Sequence, residues 1–118
     1  AEHNDLGNFG EEFAAKILEQ KGYEVLDRNW RWGRYEIDIV AKFRGLIVVA
    51  EVKTRRSNYF GEPEEFVSRA QQKRLVESAN AYLEKKGLDE EVRFDIISII
   101  YNSNQRKVHH IEDAFYAR

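Results

Sequence analysis

Cysteine is absent from the 118 residues, which removes a disulfide framework and a thiolate metal site together. No apolar run approaches the roughly 18 residues that a membrane-spanning helix needs, so no transmembrane helix and no membrane partner are expected. No signal peptide is visible, and a cytoplasmic location is the expectation. Positive charge is not in excess either. A net charge of -2 and a pI near 6.0 argue against a general nucleic-acid coat, though a local basic surface remains open. Repeats, linkers and low-complexity segments are missing too. The length suits one domain over residues 1–118, and 42% hydrophobic with 34% charged residues fits a globular one with a real core.

What is present centres on residues 36–53. Two apolar strands run through this stretch, and both carry charge. Asp38 lies among Ile37, Ile39 and Val40, while Glu51 and Lys53 end the run from Leu46 to Ala50. Charges within buried strands are costly unless they are paired or bind a metal. Strand parity places Glu36 and Asp38 on one face, Tyr35, Ile37 and Ile39 on the other, and Glu51 and Lys53 with Val49. A two-residue turn at Arg44-Gly45 sets Asp38 opposite Glu51 and Glu36 opposite Lys53. Opposed carboxylates repel unless a divalent cation lies between them.

Around this centre a helix is expected from about Gly7 to Lys21, after a frayed polar start over residues 1–6, with Gly22 as its cap. Its helical period turns Glu11 toward the body, with Gly7, Ala14 and Leu18, and Glu12 toward solvent. Tyr23 to Arg28 reads as a strand, Asn29 to Gly33 as a turn, and Thr54 to Gly61 as a basic, aromatic loop. Pro63, the single proline, suits the first turn of a short helix. A long helix follows from about Ser68 to Lys86. Leu75, Ala79, Tyr82 and Leu83 form its inner stripe, which Gln71 or Gln72 extends, and Gly87 caps it. Strands at 94–101 and 107–111 complete a mixed sheet with helices packed on it. Sheet-edge pairing makes a homodimer possible.

The ordered set of short motifs carries a resemblance. Gly7-x-x-Gly10-Glu11, Gly22-Tyr23, Asn29-Trp30-Arg31, Glu36-Ile37-Asp38, Glu51-Val52-Lys53-Thr54-Arg55, Phe60-Gly61, Lys73, Arg93-Phe94-Asp95 and Asp113-Ala114-Phe115 follow one another along nearly the whole chain. This resembles the small bacterial YraN-like family. The Asp38 and Glu51-x-Lys53 part resembles the PD-(D/E)XK nuclease core, and with the helix glutamate it is similar to archaeal Holliday-junction resolvases. The resemblance implies an α/β restriction-endonuclease-like fold, a mixed sheet of about five strands flanked by helices. One departure stands out: Tyr35 occupies a position that is usually Gly in that family, and adds bulk beside the site.

The implied function is a metal-dependent endonuclease acting on nucleic acid, with structured or branched DNA favoured. Asp38, Glu51 and Glu11, with the carbonyl of Val52, would hold Mg²⁺ or Mn²⁺. Lys53, among carboxylates, would stabilise transition-state charge. Arg31, Arg34, Arg55 and Arg56 would meet phosphates, and Gln72 or Lys73 the scissile one; Arg28, Arg69 and Arg74 belong to the same basic set. Tyr59 and Phe60 would stack on unpaired bases, whereas Trp30 and Trp32 read as structural. Glu36 would pair with Lys53 or lie at the rim, with a direct metal role as the lesser alternative. His109 and His110, adjacent on a strand, face opposite ways and make no metal pair. Two alternatives stay open: a nucleic-acid-binding protein with little catalysis, and a protein-interaction module whose acidic cluster is structural.

Overall fold

The computed structural model describes residues 2–116, with side chains from Asp5 onward. Helix α1 (Glu2–Gln20) precedes strands β1 (Glu24–Trp32), β2 (Tyr35–Phe43) and β3 (Leu46–Arg55). A 3-10 turn (Pro63–Phe66), helix α2 (Arg69–Lys86), β4 (Glu91–Tyr101) and β5 (Arg106–Phe115) follow. The five strands form one sheet in chain order. Only β3 and β4 pair in parallel, as a crossover through α2 allows; the other neighbours are antiparallel. This is the mixed α/β sheet expected from the sequence.

The local signals account for the elements. Arg44 and Gly45 take left-handed φ of 49° and 80°, the two-residue turn that suits strand twist. Gly22 (φ 94°) closes α1: its N–H donates to Glu19 O at 3.0 Å, and Tyr23 N–H donates to Leu18 O at 3.0 Å. Ser68 caps α2 by accepting from Gln71 N at 3.1 Å.

Several bounds differ from expectation. Helix α1 starts at Glu2 rather than Gly7; Ala1 lies outside the described residues. The segment Asn29 to Gly33 is not a turn, because β1 continues to Trp32. Asn29 absorbs the irregularity with a left-handed φ of 54°, and Trp30 then packs edge-on against Tyr82 with ring centroids 5.1 Å apart. Thr54 and Arg55 extend β3, β4 begins at Glu91, and β5 runs on to Phe115, because pairing with neighbours continues past the apolar runs.

Each face of the sheet has one helix. Ala14, Ala15 and Leu18 of α1 pack on Ile39, Ala41, Val48, Ala50, Ile97 and Ile99. Leu75, Ala79 and Tyr82 of α2 pack on Ile37, Val40, Ile47, Val49 and Ile96. Ile37 and Ile39 therefore enter opposite cores, against strict alternation. The break falls between the pairs Trp30↔Ile37 and Arg28↔Ile39, where left-handed Asn29 raises the local twist.

Asp95, fully buried in β4, carries the fold's satisfied polar cluster. Burial alone would raise its pKa. Hydrogen bonds from His110 (2.7 Å), Arg93 (2.8 and 2.9 Å) and Asp113 N–H (3.0 Å) outweigh burial and hold the carboxyl below its usual range. Arg93 also donates to Tyr23 Oη at 2.6 Å, tying the end of α1 to β4. His109, on the other side of the strand, is exposed and faces Glu64 at 3.5 Å, so the two histidines do point apart. Asp95→Ala strands a cation among buried groups and is expected to cost about 3–5 kcal/mol in urea unfolding.

Gly10 decides how closely α1 approaches β3. A Cβ at that position would land on the Thr54 side chain, whereas one at Gly7 would meet open space. Gly10→Ala should therefore cost about 1–3 kcal/mol. Gly7→Ala should gain up to about 1 kcal/mol of helix propensity. Urea unfolding of the two variants checks the opposite signs.

Candidate metal centre

The site forms where β2 and β3 stop pairing. Their ladder runs from the Arg44-Gly45 turn to Ile39↔Ala50. One step further the register sets Asp38 against Glu51, as the parity argument expects. Val52 N–H donates to Asp38 Oδ2 at 2.9 Å. The next expected pair does not form. Glu36 meets Arg31 at 3.2 Å, and Lys53 Nζ lies 3.7 Å from Glu51 Oε2. The divergence of the strands beyond Ile39↔Ala50 is the physical reason.

Helix α1 delivers the third carboxylate. The close approach at Gly10 holds this turn of the helix against β3, and Glu11 points inward while Glu12 is exposed. Oxygens of Glu11, Glu36 and Asp38 all lie within 4.8 Å of one another. Glu36, expected to pair with Lys53 or lie at the rim, thus belongs to the cluster. Glu51 borders it, 6% exposed, and shares a hydrogen bond with Asp38. Gln71 of α2 donates its amide to Glu51 Oε2 at 2.5 Å.

The charges are under-compensated. Burial pushes Glu11 up to about 7, helped by the Asp38 and Glu36 carboxylates; a hydrogen bond from Asn29 and the nearby Arg28 charge only partly oppose this. Burial and then Glu51 push Asp38 well above the usual carboxylate range, against the Val52 N–H bond. Burial also raises Glu51, while its contacts with Asp38 and Lys53 oppose the rise. Burial therefore disfavours the charged form of both Asp38 and Glu51. An all-oxygen donor set is what hard divalent cations take, and opposite ligands of octahedral Mg²⁺ stand about 4.2 Å apart. The cluster spacing fits such an ion.

The basic residues are more dispersed. Arg31 is spent on Glu36. Arg34 and Arg74 line a cleft beside Glu36, Glu51 and Gln71. Gln72 donates to Val67 O at 3.3 Å and lines a separate groove with Arg69, Lys73, Val76 and Tyr116. Arg55 lies over the Phe66 ring at 5.4 Å and donates to Thr54 O, and the Arg56 carbonyl accepts from Asn102. Tyr59 and Phe60 are 84% and 88% exposed. Asn29 and Ser78 are site neighbours that pattern reading did not assign there, whereas Arg74 was expected in the basic set flanking the site. Stepping the stripe back from Leu75 by one helical turn reaches Gln71 or Gln72 alike, and stepping forward by three reaches Ser78.

Residues 10–99 match the family described as Uncharacterised protein family UPF0102. The chain belongs to this family. A UPF0102 protein of Flavobacterium psychrophilum is 47% identical over 116 residues, spanning 98% of both chains. One from Christiangramia forsetii is 49% identical with the same coverage, and one from Phocaeicola vulgatus is 47% identical over 98% of this chain and 96% of its own. This is the YraN-like pattern legible in the sequence. The UPF0102 match spans Gly10, Glu11, Asp38, Glu51 and Lys53. No described helix is long and apolar enough to cross a membrane.

The raised Glu11 has a consequence for stability. A folded pKa above the unfolded one contributes stability that is complete below about 4.5 and lost as pH rises through about 7. Without divalent metal the protein should therefore weaken between pH 5 and pH 8. Glu11→Gln should remove much of that slope and gain about 1 kcal/mol at pH 8, since water still reaches the group. Thermal unfolding in chelator at the two pH values is the check.

Proposed function

We propose that this UPF0102 protein is a metal-dependent endonuclease that hydrolyses phosphodiester bonds in nucleic acid. The observation that carries the reading is the convergence of Glu11, Glu36 and Asp38 oxygens within 4.8 Å, beside Glu51 and Lys53. The resemblance to the PD-(D/E)XK core adds to it, and fold likeness alone would not suffice. Structured or branched DNA is the favoured substrate, and the cytoplasm the favoured compartment.

Glu11, Glu36 and Asp38 would hold Mg²⁺ or Mn²⁺, with Glu51 and the Val52 carbonyl adjoining. When bound, the ion supplies Lewis acidity toward a phosphoryl oxygen and toward water. The chain supplies the rest. Val52 N–H orients Asp38, and Asn29 orients Glu11. Gln71 fixes Glu51, and Glu51 in turn anchors Lys53 at 3.7 Å. Lys53 then offers its ammonium to charge developing on the phosphoryl oxygens.

The test is a cleavage panel of duplex, single-stranded, flapped and four-way DNA, and RNA, in Mg²⁺, Mn²⁺ or chelator. Cleavage should need metal, fall about 10²–10³-fold in Lys53→Ala and vanish in Asp38→Asn. Metal-dependent binding without cleavage would favour a binding protein. If no substrate is bound or cut and metal leaves Tm unchanged, the reading fails and the cluster is structural.

A further inference from the structure

Beside the carboxylates lies a cleft that shares Glu36 and Glu51 with the metal site, while its Arg34, Arg74 and Ser78 lining has no part in that site. It measures about 160 Å³ and opens between the start of β2 and the first half of α2. Leu75, Ser78 and Glu51 are its buried lining, 3%, 1% and 6% exposed, while Arg34 and Arg74 are exposed lining. A ligand that enters between the two arginines therefore ends against α2. Ser78 Oγ is buried there without a hydrogen-bond partner. A buried hydroxyl left unpaired is costly, and a ligand atom accounts for it.

The chemistry of the lining selects the ligand. Two guanidinium groups and one hydroxyl donor suit an oxyanion, and arginine matches phosphate oxygens through paired N–H groups. The Glu36 and Glu51 carboxylates at the cleft do not forbid an anion, because Arg31 pairs with Glu36, and Gln71 and Lys53 both engage Glu51 Oε2. Size and shape narrow the choice. The cleft has room for one phosphate but not for a duplex. An internal phosphodiester must leave on both sides, whereas a terminal phosphate can enter end-on and stop.

We propose that this cleft receives the terminal phosphomonoester of a nucleic-acid strand, with Arg34 and Arg74 meeting its charge and Ser78 Oγ donating to a phosphoryl oxygen. The strand attached to that phosphate rests on the nuclease reading; recognition of the phosphomonoester does not. The protein would then act near strand ends, and the end that binds sets its polarity.

The experiment uses the full chain in chelator, with short labelled DNA strands bearing a 5′-phosphate, a 3′-phosphate or hydroxyl ends, followed by anisotropy. Inorganic phosphate is titrated in parallel by thermal shift. One phosphorylated form should bind about tenfold tighter than the hydroxyl form. Arg74→Ala should abolish that preference. Ser78→Ala leaves charge unchanged; it should weaken the preference severalfold, yet raise the Tm of the free protein by removing an unpaired hydroxyl. Equal binding of all three strands overturns the proposal, as does a preference that survives both substitutions or a lack of binding to strands and phosphate alike. Equal binding alongside Asp38-dependent cleavage would sink the cleft and leave the nuclease. Phosphate bound through Arg74 and Ser78, with no nucleic acid cleaved under any metal, would do the reverse.

Discussion

Like charges held together where two strands part company constrain everything near them. Asp38 and Glu51 lie just past the last β2–β3 pair, where burial raises both and Glu51 adds to the cost of ionising Asp38. The neighbouring elements then fit around that conflict. Gly10 lets α1 approach until Glu11 joins, and Asn29 leaves regular strand geometry at the point where it bonds Glu11. Gln71 reaches from α2 to Glu51, and Lys53 supplies the nearby cation.

The molecule contains its own comparison. Asp95 is as deeply buried as any residue in the sheet, yet three partners hold its carboxyl below the ordinary range. Structural burial of a carboxylate is therefore solved in this fold with arginine, histidine and backbone N–H. At the edge of β2 the same problem is left open: Glu11, Asp38 and Glu51 all shift upward. Perturbed carboxylates clustered in that sense favour a functional over a structural role. A divalent cation would supply the missing charge.

Much of this was legible in the sequence because it depended on short-range rules. The Arg44-Gly45 turn set the Asp38–Glu51 register, and helical periodicity separated Glu11 from Glu12. Histidine parity placed His109 and His110 apart. What stayed hidden depended on contacts between distant segments. Strict alternation could not show that Ile37 and Ile39 enter different cores, because the twist arises from Asn29 on the partner strand. Nor could it show Glu36 leaving Lys53 for Arg31 and the carboxylates. Choosing Gln71 and Ser78 over Gln72 and Lys73 required the rotation of α2 about its axis, which packing on β2 decides.

The central claim is that these carboxylates bind a divalent ion together. Anomalous diffraction from a crystal soaked in Mn²⁺ at pH 8 tests it most directly, because it locates the metal without reference to activity. The account predicts a peak among Glu11, Glu36 and Asp38, within about 2.0–2.4 Å of an oxygen from each. A map with no peak there, or with manganese only at exposed acidic residues elsewhere, would contradict it.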